Sequence, residues 1–177
     1  DISDLLLLWR TQESRWVPST AIRLRPLRPS DAAVAVKWSK DFEFCAANGW
    51  RRGLTAAEIK DWLSNSGDGG QPDLLRLGIE AEQQLVGYVD LADMTDTSAE
   101  FGIAIGESDQ WGRGIGTAAG ELLLLHAFDD LGLQRIDAEV PDANARSLRL
   151  VQRLGFRRVQ TSTPAFELYR GVLVPTV

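Results

Sequence analysis

The chain has one cysteine, Cys45, and one histidine, His126. A single cysteine excludes an intrachain disulfide and any cysteine-built zinc site. A single histidine excludes a multi-histidine metal centre, and any Ser-His-Asp or Cys-His machine would have to use His126. No metal site is expected. Cysteine usage this sparse fits a reducing, cytoplasmic compartment. Basic residues are in the minority: 19 Lys and Arg stand against 25 Asp and Glu, a net charge of −6. That balance speaks against a nucleic-acid partner, which needs a basic footprint, and favours cationic ones. Long apolar runs are missing too. The longest, Leu5–Trp9, falls far short of the roughly 20 residues of a membrane helix. No basic segment precedes it, so it does not read as a signal peptide, and no membrane partner is expected.

What is present is globular material. The 44% hydrophobic and 25% charged residues exclude a disordered or coiled-coil chain, and 177 residues suffice for one domain. Residues 1–20 read as an N-terminal extension ahead of a domain spanning 21–177. The segment Leu5–Leu8 with Trp9 packs on that domain or makes a homodimer contact, since exposed leucine-rich segments mark interfaces.

Ile22-Arg23-Leu24-Arg25 alternates and predicts a strand. Ser30 or Asp31 caps a helix over Ala32–Trp38. Asp41–Gly53 reads as irregular, with Phe42, Phe44 and Trp50 directed into the core. Thr55-Ala-Ala-Glu58 is a capping box that opens a helix ending near Asn65, followed by a loop over Ser66–Gly70. Leu74–Glu80 and Leu85–Leu91 form a hairpin through Ala81–Gln84, and Ala99–Ile105 is the next strand. Phe101, Ile103 and Ile105 share one face of it, while Glu100, Gly102 and Ala104 share the other. A helix is predicted over Gly114–Asp130, with His126 on its surface, then a strand over Arg135–Val140 and a helix over Ala145–Leu154 stopped by Gly155. Strands over Arg157–Gln160 and Phe166–Val174 close the chain. An antiparallel meander combined with one strand–helix–strand crossover places the fold in the mixed α/β (α+β) class.

The chemistry concentrates at Trp111-Gly112-Arg113-Gly114-Ile115-Gly116-Thr117, which follows a strand and opens a helix. Glycines there let backbone N–H groups converge on an anion, and the helix N-terminus adds its positive end. The alternative is a plain glycine-rich turn. A Walker loop is excluded, because no Gly-Lys-Ser/Thr triplet occurs. Gly114-Ile-Gly116-Thr-Ala-Ala119 approximates the dinucleotide fingerprint with Asp137 downstream. Its place behind an antiparallel meander and eight residues of loop does not match that fold.

Three segments in order carry a more specific pattern. Phe101–Ala119 resembles the cofactor motif of the GNAT N-acetyltransferases, Gln/Arg-x-x-Gly-x-Gly/Ala. Asn144-Ala-Arg-Ser147 with Leu154-Gly155-Phe156 resembles the family's later motif. Ile22-Arg-Leu-Arg-Pro-Leu-Arg-Pro-Ser-Asp31 resembles the opening of its Rim-like branch, the ribosomal-protein and N-terminal-amine acetyltransferases. The likeness covers residues 21–170. It implies a GNAT-type, mostly antiparallel twisted sheet flanked by helices, with a splayed central strand pair, and it makes 21–177 the acetyltransferase domain.

The resemblance implies acetyl-CoA as cosubstrate. Its diphosphate would sit on the amides of Gly112, Arg113, Gly114, Ile115, Gly116 and Thr117, with the Arg113 side chain adding a charge. The pantetheine arm would follow Ile103, Ala104 and Ile105 and meet Asn144, which also suits a helix N-cap. Trp111 stands at the family's Gln/Arg position, as in the Rim-like branch. Val151 stands where many members have a Tyr general acid, which leaves Ser147 or Tyr169 for that role. The acceptor amine must lose a proton before attack, because a free amine titrates near pH 10. Glu100 and Glu139 are the carboxylates on the strand pair that can take it. The activity implied is transfer of an acetyl group to a primary amine by direct attack on the thioester. An acyl-CoA-binding module without turnover and a dinucleotide-binding protein are the competing readings. Asp90, Asp93, Asp96 and Glu100 lie in a stretch without Lys or Arg from Leu77 to Gly112, which favours a cationic amine acceptor.

Overall fold

Alternation in the first described segment builds an edge strand, β1 (Ile22–Pro26), antiparallel to β2 (Leu75–Ala81). The structure is a computed structural model and describes residues 22–66, 71–159, 166–169 and 172–175, the last two as backbone. The extension over 1–20, with its Leu5–Trp9 contact, therefore lies outside the described residues. β2 turns into β3 (Gln84–Ala92) through Glu82 and Gln83, whose φ values of 49° and 65° give the double left-handed turn that matches strand twist. The register slips between Ile79 and Glu80, leaving one extra residue on β3. β4 (Ser98–Ile105) pairs antiparallel with β3, and β5 (Arg135–Asp137) pairs parallel with β4. The order is β1-β2-β3-β4-β5, with β6 (Phe166–Tyr169) and β7 (Val172–Pro175) as a separate antiparallel pair. This is the mixed, mostly antiparallel sheet expected.

Helices cover both faces because the strands alternate. One face carries Leu85, Tyr88 and Ala104, and packs on α1 (Ala32–Trp38), α2 (Phe42–Asn48) and α3 (Ala56–Ser64) through Trp38, Phe44 and Ile59. The other carries Ile79, Val89, Leu91 and Phe101, and packs on α4 (Ile115–Leu125) through Ala119 and Leu123 and on α5 (Ala145–Arg153) through Leu150. Each fully buried large side chain contributes about 1.5–3 kcal/mol to this two-sided core. Cys45 is a small buried member of the same core, and burial pushes its thiol pKa up.

Several expectations need correction. Asp41–Gly53 contains a helix, α2. Asp41 caps it by accepting from the Phe44 N–H at 3.0 Å, and Gly49 ends it in the left-handed region. Phe42 is not core but 54% exposed, because it sits on the outer side of that helix under the Arg52 guanidinium. The long helix stops being an α-helix at Leu125. Residues His126–Asp130 form a wider π turn, closed by Leu131 N–H donating to the His126 carbonyl, and His126 bonds Asp130 at its surface. β5 ends at Asp137 rather than Val140. Residues 157–159 are not strand, and Gln160 lies outside the described residues. Phe166–Val174 divides into the β6 and β7 hairpin.

Candidate active site

β4 and β5 pair only at Ser98, Ala99 and Glu100 with Arg135, Ile136 and Asp137. Beyond that point they diverge. The backbone of the odd-numbered residues along β4 faces away from β3: the carbonyl of Thr97, just before the strand, accepts from Gln134 and Arg135, and the Ile105 carbonyl accepts from the Trp111 indole N–H at 2.9 Å. By strand alternation, the amide groups of Phe101 and Ile103 between them face the gap. The gap is a cleft of about 600 Å³, bounded by Gly102 and Ile103 on β4, Ala138–Pro141 on the diverging segment, Asn144, Ser147 and Val151 on α5, and Asn48 and Gly49 at the end of α2. Such a cleft offers an extended polar ligand a free strand edge.

The helix turn that follows the glycine loop touches the wall of this gap: a Cβ on Gly116 would stand 3.8 Å from Ile103 and 3.5 Å from Leu150, which both line it. Gly112 and Gly114 have φ of 80° and 83°, which only glycine adopts at low cost, and a Cβ at either would meet nothing within 4 Å. The space in front of the loop is therefore open, and the first amides of α4 have no side-chain cap competing for them. This fits an anionic diphosphate. Gly116 is placed differently. It lies inside the first turn of α4, where a Cβ would stand 3.5 Å from Leu150, an ordinary contact; the close approach of α4 to α5 is at Gly120, where a Cβ would stand 2.6 Å from Leu154. Asn144 is buried and accepts from the Ser147 N–H at 3.2 Å, so it is the α5 N-cap at the wall of the cleft.

The sequence-predicted acid–base residues do meet. Glu100 and Glu139 both line the cleft, on opposite sides of the splay, and Ser147 lines it from the first turn of α5. Glu139, however, stands on the segment past the end of β5, and it is exposed. Ile103 lines the cleft, whereas Ala104 is turned into the opposite core, so only its backbone is available there. Arg113 is exposed on the loop, and Ile115 and Thr117 occupy the first turn of α4. The Tyr169 side chain lies outside the described residues. Among the described residues no group of three or more His, Cys, Asp or Glu side chains could hold a metal ion.

Sequence reasoning missed the polar row behind Gly102. Asp90 pairs with Gly102 in the β3–β4 register and binds Arg76 through both oxygens at 2.6 and 2.9 Å. Burial raises the Asp90 pKa, and the Arg76 guanidinium opposes that rise. Arg76 lies over the rings of Trp62 and Tyr88, and Trp50 donates its indole N–H to the Tyr88 hydroxyl at 2.9 Å. The signal was available in the alternation that puts Arg76, Asp90 and Gly102 on one face. Missed as well was Asp41, whose second oxygen accepts from the Ser108 N–H at 3.0 Å and so ties α2 to the loop before the glycines.

A family model described as an acetyltransferase (GNAT) domain matches residues 21–157. The human alpha/beta-tubulin-N-acetyltransferase 9 is 35% identical over 134 residues, 74% of this chain and 56% of that protein, so the chain spans about half the length of this relative. An uncharacterized N-acetyltransferase, p20, from Bacillus licheniformis is 24% identical over 142 residues, 77% of this chain and 79% of that one. In fold, the chain is similar to spermidine N-acetyltransferase from Vibrio cholerae, solved with CoA and spermine: TM-score 0.72, 21% identity, 88% of this chain and 92% of that chain. A putative ribosomal-protein-serine acetyltransferase from the same organism aligns with TM-score 0.68 at 22% identity, over 90% and 92% of the two chains. With the family model covering most of its length, the splayed strand pair and the open glycine loop stand in a chain that belongs to the GNAT acetyltransferase family.

Proposed function

We propose that this chain is an acetyl-CoA-dependent N-acetyltransferase that moves an acetyl group to a primary amine, at a peptide or protein N-terminus or on a small molecule, by direct attack on the thioester. The observation that carries it is the divergence of β4 from β5 after Glu100 and Asp137, which opens a cleft with carboxylates on both sides; the glycine loop before α4, with open space at Gly112 and Gly114, supports it. Acetyl-CoA, when bound, supplies the acyl group as a thioester. The amides of residues 112–117 would hold its diphosphate, with Arg113 adding a charge-assisted contact. The backbone of Ile103 and the cap Asn144 would hold its pantetheine arm.

Glu100 or Glu139 takes the proton from the acceptor ammonium, so that a neutral amine attacks. A backbone N–H on the open edge of β4 stabilises the developing oxyanion. With Val151 in the wall, Ser147 is the hydroxyl that gives a proton to the departing sulfur. The acidic surroundings of the cleft favour a cationic amine. The human tubulin N-acetyltransferase and the spermidine N-acetyltransferase solved with CoA and spermine are relatives whose acceptors are amines. Among the described residues no helix is long and apolar enough to cross a membrane, and the proposed cytoplasmic setting rests on the sparse cysteine usage of the sequence. The test is release of free thiol from acetyl-CoA with a panel of amines. Amine-dependent release supports the enzyme, and saturable CoA binding with no release for any amine replaces it with a binding module.

A further inference from the structure

Arginines on α5 have no task in the scheme above. Arg146, Arg149 and Arg153 follow one another at helical spacing of three and four residues, all three are exposed, and among the described residues none meets a carboxylate. Unpaired guanidinium groups in a row stand out on a chain whose net charge is −6. The row also has a definite starting point. The Arg146 guanidinium carbon lies over the Trp111 ring, 3.9 Å from its centroid, beside the residue that opens the glycine loop. Trp111 is itself fixed, because its indole N–H donates to the Ile105 carbonyl at the end of β4.

The packing of α4 and α5 sets the direction of the row. A Cβ on Gly116 would meet Leu150, and one on Gly120 would meet Leu154, so the two helices run parallel with their N-termini at the same end. Arg146 therefore begins beside the loop amides, and Arg149 stands one turn farther along the outside of the same helix, about 4.5 Å by helical rise. The loop amides suit a diphosphate, which needs several N–H donors at short range. A phosphate monoester carries a charge of about −1.5 to −2 near neutral pH and is matched by guanidinium forks rather than by amides. CoA carries both groups, a diphosphate and a 3′-phosphate on the adjoining ribose.

Resting on the CoA reading of the glycine loop, the geometry points to Arg146 and Arg149 as the binding site for the 3′-phosphate of CoA. Trp111 holds Arg146 in place for it. The site would select CoA thioesters over nucleotides and cofactors that share the diphosphate but lack the monoester.

Calorimetric titration with CoA and with 3′-dephospho-CoA tests this without reference to turnover. The wild-type protein is expected to bind CoA about tenfold more tightly or better, the scale of one charge-assisted contact. Arg146→Gln and Arg149→Gln are expected to bring CoA down toward the affinity for 3′-dephospho-CoA and to leave the latter unchanged. Arg153→Gln removes the same charge two turns beyond Arg146 and is expected to keep most of the preference. Equal wild-type affinity for the two ligands overturns the assignment while leaving the CoA reading intact. An Arg153→Gln effect as large as that of Arg146→Gln overturns it too, because a general field rather than contact would then be responsible. Failure of the wild-type protein to bind either ligand overturns both this site and the CoA reading.

Discussion

The Asp41 carboxylate bridges to the Ser108 backbone: one oxygen caps α2 through Phe44 N–H and the other accepts from Ser108 N–H, each at 3.0 Å. One side chain thus joins the helix that walls the cleft to the loop that precedes the glycines. Burial raises the Asp41 pKa, and the Ser108 and Phe44 N–H bonds outweigh that and hold it below the ordinary carboxylate value.

Asp41→Ser keeps a capping oxygen and loses the bridge. It is expected to cost about 1 kcal/mol of stability, and Asp41→Ala, which loses both, about 2 kcal/mol. Urea unfolding measures this. If the bridge also sets the distance between wall and loop, CoA affinity falls in both variants. Equal stability of the two variants would show that the Ser108 bond, not the cap, carries the effect.

Gly114 and Gly116 separate two uses of glycine in one motif. Gly114→Ala forces a side chain into a φ of 83°, at a cost of about 1–2 kcal/mol, and should weaken CoA binding sharply by turning the loop amides away. Gly116→Ala meets Leu150 at ordinary contact distance and should leave CoA affinity within about threefold, whereas Gly116→Val pushes α4 and α5 apart. Titration with CoA beside circular dichroism distinguishes loss of the loop from loss of the fold.

The proposed base is Glu100 or Glu139, carboxylates that line the cleft on opposite sides. Glu100→Gln or Glu139→Gln should lower turnover about 10²–10⁴-fold with little change in CoA affinity. Steady-state rates across pH check it. Less than a tenfold fall in both variants would assign the base to water or another group.

Acid should destabilise the edge of the sheet. The Arg25 guanidinium binds Asp31 at 2.8 and 2.9 Å and Glu80 at 2.7 Å, and Arg23 adds to Glu80. Burial raises the Asp31 pKa, but the Arg25 bonds outweigh it, and Glu80 is lowered by Arg23 and Arg25. Carboxylates with depressed folded-state pKa contribute stability above their unfolded pKa, near 4, and lose it as pH falls below that. The melting temperature is expected to fall between about pH 5 and pH 2, and Arg25→Met should flatten that fall while lowering stability at pH 7. An unchanged pH profile in the variant would remove this network from the account.

Much of this was legible because strands and caps are local. The alternation in residues 22–25, 75–92 and 98–105, the capping box at Thr55 and the glycines at 112 and 114 each act within a few residues, and the structure keeps them. The helix α2 was hidden because its apolar residues Phe42, Phe44 and Trp50 suggest core before they suggest a helix. Asp41 and Gly49 nevertheless bracket it with a cap and a stop. The end of β5 could not be read, because it depends on where β4 stops accepting a partner, and Ala138–Val140 is as strand-like as Arg135–Asp137. The π turn at His126–Asp130 lies within a continuous helical pattern that carries no local signal for it. Asp90 was legible as a charge but not as a neutralised one, since Arg76 reaches it only across the β2–β3 register.

That neutralisation narrows the electrostatic account of the acceptor. Of the four carboxylates in the stretch from Asp90 to Glu100, Asp90 is buried against Arg76 and projects little field. Asp93 and Asp96 remain exposed in the loop that leads into β4, and Glu100 lines the cleft. Asp93 and Asp96 stand before β4, at the end where it still pairs with β5, so they act on an acceptor as a field rather than as cleft lining; such exposed charges raise the local concentration of a cation, and salt screens them over about 8–10 Å. The Michaelis constant for a cationic amine should rise about two- to threefold between about 50 and 300 mM salt, with kcat little changed. Asp93→Asn with Asp96→Asn should raise it similarly at low salt and remove most of the salt dependence. Asparagine is the right replacement at Asp93, whose φ of 47° lies in the left-handed region that asparagine tolerates. A neutral amine serves as the internal control, because its constant should respond to neither change. If the neutral amine proves the better acceptor, or if the cationic one is insensitive to salt, the loop carboxylates do no steering and acceptor choice rests on the cleft walls at Glu100, Asn48 and Gly49.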